Sequence, residues 1–282
     1  MENLKMGKKR KEFLVKLISV LVLTAGALVV LVPFIWMFST SFKTLSDVFQ
    51  YPPKFFGEIF YWQNYVNVFE TIDFIGMFKN TLIVTVAVAA GQLVTSTMAG
   101  FAFTYLNFRG RDTIFKIFLF AVMVPFYVML IPTFSLMRDL KLTNTLWSLI
   151  LPCVVSPFGI FMMRQSYLSI PRSLGEAAAI DGCSPWKIFT RIYLPLSKPA
   201  MTTLVIFTFM STWNDFIRPL IFLTSNKNMT LTLGLYNLVG SYATDWGLLM
   251  AAVIMSLLPI LILYLCLQDF FVEGIAVTGL KG

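Results

Sequence analysis

The sequence predicts an all-α integral membrane protein with six transmembrane helices and both termini in the cytoplasm. Charge is the first observation. Only 13% of the 282 residues are charged, whereas a soluble domain carries about one quarter and needs those charges to cover its surface. Hydropathy is the second, with 57% hydrophobic residues and a mean hydropathy of +0.78. Much of the surface therefore faces lipid. Length is the third: six stretches supply the roughly 20 apolar residues that a helix needs to cross about 30 Å of hydrocarbon.

In order, the spans cover residues 13–38, 81–106, 114–137, 142–163, 199–223 and 246–268. A basic segment, 1–12, precedes the first and reads as cytoplasmic. Ala25-Gly26-Ala27 resembles a signal-peptide cleavage site, but the apolar run continues past it to Trp36, so the stretch reads as a retained helix. Lys16 and Lys116 lie near span ends, where a long side chain reaches the interface. Pro33, Pro125, Pro132, Pro152, Pro157 and Pro259 fall inside spans. Membrane helices tolerate them because neighbouring helices satisfy the freed carbonyls. The later five helices, within 81–268, form the core, and 269–282 is a cytoplasmic tail.

Six spans place both termini on one side, and the basic residues say which. Of the 22 Lys and Arg residues, 15 fall on the side of the termini, among them Lys8, Lys9, Arg10, Arg109, Arg111, Arg164, Arg172 and Lys187. The positive-inside bias makes that side cytoplasmic. Topology thus accounts for the net charge of +8 without a nucleic-acid partner. Outside lies the stretch 39–80, with Phe55, Phe56, Tyr61, Trp62 and Tyr65, which reads as a cap with interfacial anchors.

Several chemistries are excluded. With no histidine, the chain lacks the commonest general base and the commonest transition-metal ligand. Cys153, Cys183 and Cys266 match no metal or redox spacing and read as small apolar residues. No catalytic or metal-binding set emerges. No G-x-x-x-x-G-K run is present, so the chain has no phosphate cradle of its own. A secondary transporter would show internal repeats and ionisable residues inside its spans. Here only Asp215 and Arg218 stand near one end of a span.

The cytoplasmic stretch 164–198 has strong local syntax. Ser173 and Glu176 stand in the spacing of a capping box, which starts a helix near Leu174. Glu176 through Asp181 is good helix composition, and Gly182 fits a left-handed stop. Ser184 then caps a second helix with Pro185 in its first turn, running through Trp186, Ile188, Phe189 and Ile192. Leu194-Pro195-Leu196 ends it before the fifth span. Spacing alone leaves two readings open: a docking element for another protein, or an ordinary loop.

These residues resemble the EAA loop of binding-protein-dependent ABC importer permeases. The family pattern is E-A-A, three residues, G, nine residues, I, x, L-P. Glu176, Ala177, Ala178, Asp181, Gly182, Ile192, Leu194 and Pro195 occupy the matching positions. Trp213-Asn214-Asp215, the run from Leu231 to Gly234, and the tail ending Gly279-Leu280-Lys281-Gly282 are similar to the carbohydrate-uptake branch, whose best-known member imports maltose.

The resemblance implies a type I ABC importer permease fold and a sugar-import function, for a di- or oligosaccharide. It implies a second, homologous permease subunit, two ATP-binding subunits that carry ATP and Mg, and an extracytoplasmic solute-binding protein. It also implies that the EAA helix couples the spans to the ATPase. By the same resemblance, residues 274–282 reach between ATPase subunits, and residues 225–242 contact the binding protein.

Asn214, Asp215 and Arg218 are the pathway candidates. Asp215 is expected about 24 Å along the fifth span, at about 1.5 Å per residue. Arg218 follows at i+3 on the same helical face. The group serves either as an interfacial ion pair or as a polar lining at the external gate.

Overall fold

A computed structural model describes residues 2–240 and 244–279, with side chains described for 13–240 and 244–268. Among the described residues all regular structure is helical. The chain forms two compact units, one of residues 1–71 with 238–255 and one of residues 72–237 with 256–282.

The first unit is organised by the end of a long helix. α1 (Glu2–Ser41) contains the apolar stretch Phe13–Ser41, whose most apolar window buries nothing. Such a surface requires hydrocarbon or another chain around it. Beyond it come α2 (Leu45–Val48), capped by Thr44, and α3 (Gln63–Thr71). Asn64 Nδ2 donates to the carbonyls of Ser41 and Lys43 at 2.9 Å each. Lys43 is 3% exposed. Its ammonium donates to the Lys54 carbonyl at 2.7 Å and lies 4.5 Å from the Trp36 ring. Burial lowers its pKa, opposed by nearby Asp47. The stretch 39–80 therefore carries a packed polar core of its own, which the aromatic composition did not reveal.

The second unit is built on α4 (Phe74–Thr104), which Asp73 caps by accepting from Gly76 N at 3.0 Å. α5 (Arg111–Met123) and α6 (Phe126–Asp139) meet at 104°. Val124 is extended there because it precedes Pro125. The third predicted span is thus a bent pair. α7 (Trp147–Ile150) continues through a 3₁₀ turn at Leu151–Cys153 into α8 (Pro157–Leu168). This fourth span begins at Trp147 rather than at residue 142, because Asn144 takes a left-handed φ of 57°.

The chain then runs through α9 (Arg172–Ile180), α10 (Pro185–Ile188), a π turn at Phe189–Tyr193 and α11 (Leu194–Leu196). A 75° bend leads from there into α12 (Lys198–Trp213). α13 (Ile217–Phe222), α14 (Leu231–Asn237) and α15 (Trp246–Gly279) complete the order.

α8 packs on α4 through small residues, as helices do where backbones approach closely, and α12 packs on α4 as well. A Cβ at Gly159 would stand 2.4 Å from Ser96 Oγ, and one at Gly100 would stand 2.9 Å from Met163 Cβ. Among the described residues four helices are long and apolar enough to cross a membrane, or up to six if each bent pair counts as one span.

Candidate functional site

Residues 164–198 fold as two short helices around a sharp turn, as the syntax required. Gly182 has φ +79°. Cys183 N donates to Ala178 O at 2.9 Å and Gly182 N to Ala179 O at 3.1 Å, the paired bonds of a Schellman stop. Ser184 Oγ accepts from Lys187 N at 3.4 Å, with Pro185 in the first turn.

The expected capping box does not form. α9 starts at Arg172, two residues earlier than predicted, because extended Pro171 takes the cap position. Ser173 is therefore inside the helix, and Glu176 pairs with Arg172 at 3.2 Å instead of reaching back to a cap.

The eight motif residues divide into two sets. Ala178, Ile192 and Leu194 pack against a core of Phe101, Met163, Tyr167, Ile188, Phe189, Tyr193 and Leu204. Glu176, Ala177, Asp181, Gly182 and Pro195 are exposed. Tyr105 fixes α9 from below: its hydroxyl donates to Gly175 O at 3.0 Å, and a Cβ at 175 would lie 2.5 Å from its ring. Ile180, 86% exposed, and Trp186, 61% exposed, add apolar surface beside the charged residues. Two bare apolar groups on a rigidly held turn have the composition of a contact surface. The sequence placed both within the two short helices without singling out either.

The outer group is placed differently from its expectation. α12 ends at Trp213, so Asn214 and Asp215 lie beyond it and not along it. Short polar side chains bond nearby backbone and stop a helix. Asn214, exposed, donates from Nδ2 to Met210 O at 2.9 Å. Asp215 accepts from Arg218 N at 3.4 Å and from its guanidinium at 2.9 Å. The expected Asp215–Arg218 pair forms, across a helix break and not on one helical face.

Arg218 also lies 4.4 Å from the Phe126 ring, where α6 begins after the 104° bend. A cleft of about 330 Å³ opens beside it, lined by Phe126, Thr133, Ser148, Cys153, Arg218 and Phe222. The lining is mainly apolar, with one cation.

Asn144 was not singled out in the sequence, yet it organises the loops at this end. Its side-chain oxygen accepts from Thr224 N, Ser225 N and Ser225 Oγ at 3.0 Å each. Its own N donates to Phe222 O at 2.8 Å. An asparagine between two spans, able to adopt a left-handed backbone, was the available signal. The stretch 225–242 contains a 3₁₀ turn at Asn226–Asn228 and α14, and its last two residues lie outside the described residues. Of the tail candidates, Gly279 ends α15, while Leu280, Lys281 and Gly282 lie outside the described residues. Among the described residues no group of three His, Cys, Asp or Glu could hold a metal ion.

Comparison with known proteins gives a consistent picture. The chain is 37% identical over 205 residues to the arabinooligosaccharides transport system permease protein AraQ of Halalkalibacterium halodurans, covering 73% of this chain and 74% of that one. It is 32% identical over 253 residues to the lactose transport system permease protein LacG of Rhizobium radiobacter, covering 90% and 92%. Its fold matches a chain of a bacterial ABC transporter involved in the import of the acidic polysaccharide alginate, with a TM-score of 0.81, 25% identity, and coverage of 93% and 98%. Residues 91–277 match the model of the binding-protein-dependent transport system inner membrane component. The chain is a multi-pass membrane permease subunit and belongs to that family.

Proposed function

We propose that this chain is one permease subunit of an ATP-driven importer of a di- or oligosaccharide in a bacterial or archaeal cytoplasmic membrane. One observation carries the reading: the stretch 164–198 holds three of its eight motif residues against the core and presents the other five, with Ile180 and Trp186, at its surface. Such an element transmits force, because its exposed face cannot move without the helices to which it is anchored. Sugar as cargo is supported by relatives named for arabinooligosaccharides and lactose.

In this reading the chain has six spans, α5 with α6 making one and α12 another after the 75° bend, with both termini in the cytoplasm. The positive-inside distribution supports that orientation. A second, homologous permease completes the pathway, and two ATP-binding subunits grip Glu176, Ala177, Asp181 and Gly182. ATP and Mg stay on those subunits, so this chain binds no cofactor. An extracytoplasmic solute-binding protein delivers the sugar. Residues 279–282 contact the ATPase subunits.

Reconstitution of this chain with its partner permease and ATPase in vesicles tests the reading. Binding protein loaded with sugar should stimulate ATP hydrolysis, and labelled sugar should accumulate inside. Hydrolysis indifferent to the loaded binding protein would refute the proposal.

A further inference from the structure

The middle of the second unit holds a polar cross-link outside the sites described above. Pro157 has no N–H, so the carbonyl of Cys153 lacks the donor that a continuous helix would give it four residues on. Gln92 of α4 supplies one: its Nε2 donates to Cys153 O at 2.8 Å. The other end of the same amide, Oε1, accepts from Thr208 Oγ1 of α12 at 2.8 Å. One turn along α4, Thr95 Oγ1 donates to Val154 O at 2.7 Å.

A neutral amide offers a donor and an acceptor at once, so it can bridge two helices without burying a charge. Unpaired, each of these groups would be costly in an apolar interior. α8 leads into the stretch 164–198 and α12 leads out of it. A displacement of that stretch therefore reaches the membrane through two helices, and Gln92 ties α12 and the break just before α8 to the same point on α4.

We propose that Gln92 is a positioning residue that makes α4, α8 and α12 move as one body, so that movement of the 164–198 element opens the pathway instead of splaying its two flanking helices. The proposal rests on the import function above. It is tested in the assembled transporter in lipid vesicles, using radiolabelled lactose or arabinotriose, whichever the cognate binding protein retains.

With Gln92→Leu, sugar taken up per ATP hydrolysed should fall about fivefold while hydrolysis persists, the factor equivalent to one net hydrogen bond of about 1 kcal/mol. Gln92→Glu supplies a pH signature. Its protonated carboxyl donates and accepts as the amide does, whereas its carboxylate only accepts, and apolar surroundings favour the protonated form. The uptake ratio in Gln92→Glu should therefore approach that of the unaltered chain as pH falls and decline as pH rises.

An unchanged ratio in Gln92→Leu overturns the proposal. So does an equal loss of uptake and hydrolysis together with a lowered melting temperature, which marks a merely structural role. If the unaltered transporter moves no sugar that its binding protein retains, the import reading fails on its own. Hydrogen exchange over residues 153–160 of the assembled complex then decides: faster exchange in Gln92→Leu supports the tie, and unchanged exchange removes it.

Discussion

Gly182 stands at φ +79° with no heavy atom within 4 Å of where a Cβ would lie. A larger residue there meets no clash, so the whole cost of substitution is backbone strain, about 1–2 kcal/mol for a β-branched side chain. Gly182→Val should therefore leave the chain in the membrane but distort the turn and lower the hydrolysis stimulated by loaded binding protein. Gly182→Asn should retain more of it, since asparagine tolerates the left-handed region. Equal stimulation in both variants and the unaltered chain would show that the turn geometry does not matter. Glu176→Lys separates shape from surface at the same site. The Arg172–Glu176 pair is more than half exposed on both sides, so its loss should barely move stability. Any loss of stimulation in Glu176→Lys then reports the reversed charge on the presented face.

At the scale of elements, two loops depend on Asn144, which joins the turn after α6 to the chain after α13. Asn144→Ala removes the acceptor for three donors and puts a residue that disfavours φ 57° at a turn that needs it. Protease cleavage within residues 223–230 should accelerate severalfold in Asn144→Ala, with ATPase binding unchanged; an unaltered cleavage pattern would show that the loops hold without it. Elements governed by neighbours in sequence were legible. The Gly182 stop and the Ser184–Pro185 start follow from rules that span a few residues, and both formed. The Ser173 cap failed because Pro171, just upstream, took its place. The fifth span was read through Asn214 because hydropathy averages over a helix break, although the amide and carboxylate in succession were a local stop signal. Gln92 could not be read at all. Its two partners lie 61 and 116 residues away, and only the fold brings them to it.

At the scale of the whole molecule, the break after α12 bears on how a pathway opens. Asn214 is exposed at the end of an apolar helix, and Asp215 pairs with Arg218, which rests on Phe126 at the start of α6. One guanidinium thus touches both places where the apolar spans of the second unit are interrupted near this end. Asn214 Nδ2 bonds Met210 O, and hydrocarbon offers the rest of its amide no partner. We propose that in the assembled importer the amide meets either a second permease or an aqueous path, which exchange as the pathway opens. Replacing Cys153, Cys183 and Cys266 leaves a background in which Asn214→Cys is the sole thiol. An external, membrane-impermeant thiol reagent should modify it quickly in the ATP-trapped state and slowly at rest. Asp215→Cys should follow the same order but react faster at rest than Asn214→Cys, because losing the carboxylate also frees Arg218 and loosens its hold beside Phe126. If both variants transport sugar and label equally in the two states, Asn214 and Asp215 do not line a changing path. Their part is then confined to ending α12 and pairing Arg218.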